Sequence, residues 1–153
     1  MFHIVLVEPE IPANTGNISR TCAVTGASLH LVRPLGFSTD DAHLKRAGLD
    51  YWHALDLHYY DSFDALRAAH PDARYWYATT HAAHSYADTS FRDGDFLVFG
   101  KETAGLPKAL LAENAAQCIR IPMGGGLRSL NLSNAVAVVL YEALRQGGFV
   151  GLE

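Results

Sequence analysis

The chain has little of what marks the common function classes at sequence level. Its two cysteines, Cys22 and Cys118, stand in no C-x-x-C spacing and read as two buried, reduced thiols. No G-x-x-x-x-G-K-[ST] loop is present, which excludes a P-loop. No G-x-G-x-x-G follows the first strand-like run, which removes a dinucleotide fingerprint, and no G-x-S-x-G provides a hydrolase elbow. The eight histidines include no H-E-x-x-H and no Cys/His spacing for zinc; His81 and His84, three apart in a loop, make a pair at most, so no metal is expected. No run approaches the roughly 20 apolar residues of a membrane span. No basic n-region precedes the first strand-like run, so no signal peptide is expected and the expected location is cytoplasmic. Basic excess is absent too. The net charge of −4 is not that of a general nucleic-acid binder, although a local patch of Arg20, Arg33, Lys45, Arg46, Lys101 and Arg128 stays open to it.

What remains is the composition of a globular domain, 49% hydrophobic and 18% charged, and the expectation is a single domain over 1–153. Strand-like and helix-like segments alternate throughout. Phe2–Val7 is a nearly continuous apolar run, suited to a strand buried on both faces. Pro9 and Pro12 interrupt it. A helix follows, opened by Asn14, Thr15 or Asn17 and stopped by Gly26, and then a second strand, Leu29–Val32. This β-α-β order predicts parallel strands. Next come a turn at Pro34–Ser38, a short helix over Asp40–Ala47 closed by Gly48, and an edge strand at Leu55–Tyr59. A helix over Asp61–His70, capped by Asp61 or Ser62, carries Phe63, Leu66 and Ala69 on one face. A strand over Tyr75–Thr80, a polar loop over 81–94, a strand at Phe96–Phe99 and a helix from Leu106-Pro107 to about Glu113 complete the middle of the chain. The class is α/β, with a mainly parallel sheet and helices on both faces.

The C-terminal stretch Ile119–Gln146 is the most distinctive. A strand ends at Ile121, and Pro122 to Arg128, with three consecutive glycines, cannot continue it. A helix over Ala135–Arg145, capped by Ser133 or Asn131, is apolar almost all round from Ala135 to Tyr141, which predicts burial on several sides. Three strand ends then compete as a ligand edge: Ala78-Thr79-Thr80, Gly100 to Gly105, and Ile121 to Asn131. Glycines at 100, 105 and 124–126 leave room for a flat group between apolar walls from Ile121, Met123 and Leu130. The helix start at Asn14-Thr15-Gly16-Asn17, with Arg20 one turn in, suits a phosphate or ribose oxygen.

Three ordered motifs now carry a resemblance. Pro9-Glu10-Ile11-Pro12-x-Asn14-Thr15-Gly16-Asn17-x-x-Arg20 is the first. Phe99-Gly100-x-Glu102-x-x-Gly105-Leu106-Pro107 is the second. Ile121-Pro122-Met123, with Arg128-Ser129-Leu130-Asn131-Leu132-Ser133-Asn134, is the third. Together they resemble the SPOUT RNA methyltransferases over essentially the whole chain. The segments His30–Phe37 and Arg46-Ala47-Gly48-Leu49-Asp50-Tyr51 resemble its small single-domain branch, which methylates the ribose 2′-oxygen of the tRNA wobble nucleotide, a cytidine or modified uridine.

The resemblance implies an α/β knot, in which the C-terminal segment threads a loop as a trefoil knot. Ordinary topology rules exclude that arrangement. It implies S-adenosyl-L-methionine held by Ala78, Gly100, Ile121 and Ser129, with Met123 and Leu130. It implies a homodimer with each site completed by Arg20 of the partner subunit, part of the interface coming from the last helix with Tyr141, and the tRNA anticodon stem-loop as partner. Arg20, Asn17, Asn131 and Glu102 are the implied catalytic set. Family accounts make Arg20 the base, but a guanidinium stays protonated below pH of about 12, so polarising the hydroxyl or holding the adjacent phosphate suits it better. Asn17 and Asn131 would orient, and Glu102 would fix Arg20 or its own loop. Two other readings share this fold: methylation of another RNA such as ribosomal RNA, or RNA binding without catalysis.

Overall fold

The computed structural model describes residues 1–127 and 129–153, with the side chains of Lys45 and of residues 47–50 outside that description. Seven strands form one sheet: β1 (His3–Val7), β2 (Ser28–Val32), β3 (Leu57–Tyr60), β4 (Tyr75–Ala78), β5 (His84–Ser85), β6 (Phe96–Phe99) and β7 (Cys118–Arg120). Their spatial order is β3-β2-β1-β6-β4-β7-β5, and every pairing between them is parallel. The helices are α1 (Pro12–Thr25), α2 (Ala42–Gly48), α3 (Phe63–Ala69), α4 (Lys108–Glu113) and α5 (Leu132–Gln146).

The apolar runs explain the layering. Side chains alternate across β1, so Ile4 and Leu6 face one side, where Ile18 and Cys22 of α1 and Val136, Val139 and Leu140 of α5 cover them. Val5 and Val7 face the other, with Leu66 of α3 and Leu106 and Leu110 by α4. Each fully buried aliphatic side chain contributes roughly 1.5–3 kcal/mol. Both cysteines are free and buried, and burial pushes the Cys22 thiol up to about 12.

Several boundaries differ from the sequence expectation, each for a local reason. α1 begins at Pro12 rather than at Asn14, Thr15 or Asn17, because proline is suited to the first helical turn; Ile11 occupies the cap position and no side chain caps it. Its end is as expected, with Gly26 left-handed at φ 77°. The helix α2 does not close at Gly48 but runs into a 3-10 segment, Leu49–Ala54. Ser62 caps α3 by accepting from the Ala65 N–H, and Ala69, expected on the buried face, is exposed. The polar segment 81–94 contains β5 and a 3-10 turn, Tyr86–Asp88, too short to carry a period.

The last helix, expected to be buried on several sides, is not. Val136, Val139, Leu140 and Ala143 are buried, while Asn134, Val138, Tyr141 and Arg145 form one exposed stripe at helical spacing. Among the described residues no helix is long and apolar enough to cross a membrane.

The sheet places the ligand edge. From β1 the chain steps outward to β2 and β3, and the later strands lie on the other side of β1. The strand order therefore reverses between β1 and β6, the kind of switch point beside which α/β sheets bind ligands at the carboxyl ends of their strands.

Candidate active site

The three strand ends singled out from sequence lie side by side. β6, β4 and β7 are consecutive in the sheet and parallel, so Gly100, Ala78 and Ile121 emerge along one edge. The Thr79 N–H donates to the Ile119 carbonyl at 2.9 Å, holding the β4 and β7 ends together. Ala78 and Ile121 pack against the core on the α1 and α5 face, which gives this edge an apolar floor. Beyond Ile121 the chain forms a loop in which Met123 is half-buried and Ser129 and Leu130 are exposed; the Leu127 N–H donates to the Gly124 carbonyl at 3.3 Å to close a turn. Side chains added at Gly124 or Gly125 would meet nothing within 4 Å, so the loop leaves open space there. Arg128 lies outside the described residues.

Gly100 has a different reason from the one expected. A Cβ there would overlap the Gly105–Leu106 peptide, so the glycine admits the returning backbone of its own loop rather than a flat ligand. Gly105 itself is left-handed at φ 70°, and its N–H donates to the Lys101 carbonyl at 2.9 Å. Gly100→Val is therefore expected to open the 100–106 loop. It should lower stability by more than about 2 kcal/mol as well as weaken cofactor binding, read by thermal unfolding beside a binding titration. Weakened binding at unchanged Tm would restore the simpler picture of a blocked pocket.

That loop carries Glu102, and its carboxylate is the junction of the site. One oxygen accepts from the Glu10 N–H at 2.8 Å; the other accepts from the Ile11 N–H at 2.7 Å and from Asn14 Nδ2 at 3.2 Å. The backbone donors just before α1 thus meet an anion, as helix N-termini favour. Glu10 answers by accepting from the Thr103 N–H at 3.0 Å and from Thr103 Oγ1 at 2.7 Å, and these bonds hold its carboxyl below the usual range. Asn14 is buried, and its Oδ1 accepts from Asn131 Nδ2 at 3.0 Å. Asn131 Oδ1 in turn caps α5, accepting from the Ser133 N–H at 2.9 Å and from Ser133 Oγ at 2.5 Å. One hydrogen-bonded chain, Glu102–Asn14–Asn131, therefore ties the three sequence motifs together.

Glu102 fixes its loop, not Arg20. Within this chain Arg20 stands on the exposed face of α1, where Nη2 donates to the Tyr51 hydroxyl at 3.2 Å and the guanidinium lies 4.7 Å over the Tyr51 ring. Asn17, one turn earlier, is exposed on the same face. Arg20 and Asn17 thus form one group and Glu102 and Asn131 another, with α1 between them. Of the expected basic patch, Arg33 and Arg46 are exposed and Lys101 pairs with Glu8 at 4.0 Å; the Lys45 side chain and Arg128 lie outside the described residues.

Sequence reasoning missed Asn14 as the junction and Tyr51 as the clamp on Arg20. A signal for the first was available: Asn14, Ile18 and Cys22 recur every four residues, which places a polar amide on the inward face of α1. None was available for the second, because Arg20 and Tyr51 are 31 positions apart. Two hollows lie among the described residues outside the Ala78, Gly100 and Ile121 strand ends. One, of about 410 Å³, is bordered by Arg33, Phe37 and Tyr59; the other, of about 510 Å³, by Arg74, Trp76 and Gln117.

The site can now be set beside known proteins. Residues 1–141 match the SpoU rRNA methylase family. A tRNA (cytidine(34)-2′-O)-methyltransferase of Burkholderia pseudomallei is 54% identical, the match covering 99% of each chain. A solved structure described as giving insight into 2-OH methylation of C/U34 on tRNA superposes with a TM-score of 0.93 at 48% identity, covering 97% of each chain. The SpoU methyltransferase AviRb of Streptomyces viridochromogenes, in complex with the cofactor AdoMet, superposes with a TM-score of 0.82 at 26% identity, over 99% of this chain and 58% of that one.

Proposed function

Because the chain belongs to the SpoU rRNA methylase family, we propose that it acts as a tRNA 2′-O-methyltransferase on the wobble nucleotide, cytidine or modified uridine, with S-adenosyl-L-methionine as methyl donor. The observation that carries this reading is the Glu102–Asn14–Asn131 chain, which unites the three motifs at the open edge of a parallel sheet. The edge fits the cofactor. It offers an apolar floor at Ala78 and Ile121 and an open glycine loop, which suits a sulfonium cation that carries a flat, uncharged base and no phosphate.

When bound, S-adenosyl-L-methionine supplies the electrophilic methyl group. Ala78, Ile121, Met123, Ser129 and Leu130, with the backbone at Gly100, would hold it. Glu102 and Asn131 are positioning residues, since their side chains are occupied by intrachain bonds that set the 100–106 loop, the α1 entry and the α5 start relative to one another. Arg20 and Asn17 reach the RNA. Arg20 holds the phosphate or polarises the 2′-hydroxyl, and Asn17 orients the ribose beside it. Near-attack placement of the hydroxyl then supplies much of the rate.

The working unit in this reading is a homodimer in the cytoplasm, with Arg20 of the partner subunit completing each site and the C-terminal segment threaded as a trefoil knot. The exposed Val138 and Tyr141 of α5, with exposed Leu130 just before its start, support a covered face. A monomer mass independent of concentration would remove the shared site.

The test of function is transfer itself. Purified protein is incubated with labelled S-adenosyl-L-methionine and tRNA from cells lacking the enzyme, and the labelled nucleotide is mapped by nuclease digestion and mass spectrometry. A 2′-O-methyl group at the wobble nucleotide is expected. Label on another RNA would move the substrate, and cofactor binding without transfer to any RNA would favour a non-catalytic role.

A further inference from the structure

The hollow at the carboxyl ends of β2 and β3 is not part of the strand-end site. It is an open cleft of about 410 Å³, bordered by Arg33, Leu35, Phe37, Thr39 and Tyr59. Its chemistry is specific. The Arg33 guanidinium carbon lies 4.9 Å over the Tyr59 ring, a cation–π contact, while its side chain remains about half exposed. Nη1 donates to Asp61 at 3.2 Å, but the Asp61 side chain is almost wholly in solvent, and such a pair yields readily to a phosphate. The Arg33 N–H donates to the Tyr60 carbonyl at 2.8 Å, which fixes the stem of this arginine to the sheet. Phe37 and Leu35 are half-buried and supply an apolar wall.

The cleft is also coupled to the transfer site. The Gly36 N–H donates to the Pro9 carbonyl at 2.9 Å, and a Cβ on Gly36 would come within 2.8 Å of Glu10 Cα. The 33–39 loop thus rests on the same segment whose Glu10 and Ile11 donors are held by Glu102. Two to three strand spacings separate β2 from β6 and β4, which is about 10–14 Å along the carboxyl edge. That is a reach of a few nucleotides.

We propose that this cleft binds an unpaired nucleotide of the RNA substrate near the methylated one, its base stacked on the Arg33–Tyr59 pair and Phe37 and its phosphate paired with Arg33. The proposal rests on the methyltransferase reading. A planar cation held over an aromatic ring is a platform for a base, because every base has a π-face and Arg planes serve as stacking partners. In a chain of net charge −4, an exposed arginine at this edge is also where a polyanion can approach.

Arg33→Ala and Phe37→Ala test it, with an anticodon stem-loop RNA as probe in gel-shift titration and full tRNA in the transfer assay. Both variants are expected to weaken RNA binding and raise the KM for tRNA about tenfold or more, with kcat and the KM for S-adenosyl-L-methionine within twofold. Arg33→Lys keeps the charge but loses the plane, so it should recover the salt dependence of binding and not the affinity. RNA affinity unchanged in both alanine variants overturns the cleft, whether or not the wild-type protein transfers methyl groups. Absence of transfer by a wild-type protein whose RNA affinity still depends on Arg33 and Phe37 overturns the methyltransferase reading and leaves the cleft standing. A uniform fall in kcat with RNA affinity intact would assign these residues to the folding of the 33–39 loop and overturn the proposal.

Discussion

Arg20→Ala is expected to lower methyl transfer by at least about a hundredfold while leaving S-adenosyl-L-methionine affinity within a few-fold and Tm nearly unchanged. The stability side follows from position. Arg20 is exposed on α1, and its intrachain contacts are a hydrogen bond and a stacking contact to Tyr51 at the protein surface. Alanine is the best helix former, and loss of an exposed contact costs little. The activity side follows from charge. A guanidinium aimed at a phosphate or a developing alkoxide acts where negative charge gathers, and removal of one such donor typically costs 10²–10³ in kcat. The Arg20–Tyr51 pair also predicts a graded series. Tyr51→Phe keeps the ring under the guanidinium and loses only the 3.2 Å hydrogen bond, so a loss of a few-fold is expected. A parallel loss of cofactor binding in Arg20→Ala would place this residue with the methyl donor instead of the RNA.

The contrast between Arg20 and Glu102 shows what the sequence could reveal. The strands were legible because a buried parallel sheet demands uninterrupted apolar runs, and the helix ends were legible where backbone geometry demanded a residue type, as at Gly26. The strand-end edge was legible too, once the alternation of elements implied parallel strands. The partners of Glu102 were not. Its acceptors' donors lie 88 to 92 positions away, and Asn14 and Asn131 are 117 apart, so no local pattern connects them. Gly100 was legible as a glycine that matters, but its reason, the returning Gly105–Leu106 peptide, is tertiary. The α5 stripe failed in the opposite way. Its composition promised burial all round, and the structure leaves Val138 and Tyr141 exposed.

The protein is expected to lose stability as pH falls from about 6.5, through a histidine cluster built across β1, β2 and β3. Strand register builds it: His30 pairs with His58 across β2 and β3, and His3 stands diagonal to His30 with Phe96 as its own partner. His30 is fully buried, its Nε2 lies 2.9 Å from His3 Nδ1, and its ring stacks 4.9 Å from His58 and meets His70 edge-on at 5.7 Å. Its Nδ1 is buried without a hydrogen-bond partner among the described residues. Asp56, held by the Ser28 hydroxyl and paired with His58 at 2.9 Å, is the counter-charge at the cluster, and Tyr60 bonds His70. Burial, and then repulsion from His3, His58 and His70, hold His30 down to about 3; burial, His70 and the N-terminal amine lower His3 as well. A histidine at 6.5 when unfolded and about 3 when folded contributes its full stability above 6.5 and loses it as pH falls toward 3, because the unfolded chain binds the proton first. The slope from one such group approaches about 1.4 kcal/mol per pH unit. Glu142, held down to about 2 by Arg145, titrates below the interval from pH 6.5 to 5. Urea unfolding across that interval should show the slope in the wild-type protein. In His30→Gln, which keeps a polar side chain toward His3 but cannot take up the proton, the slope should fall by up to the share of one group; an equal slope in both proteins would remove His30 as the acid-sensitive element.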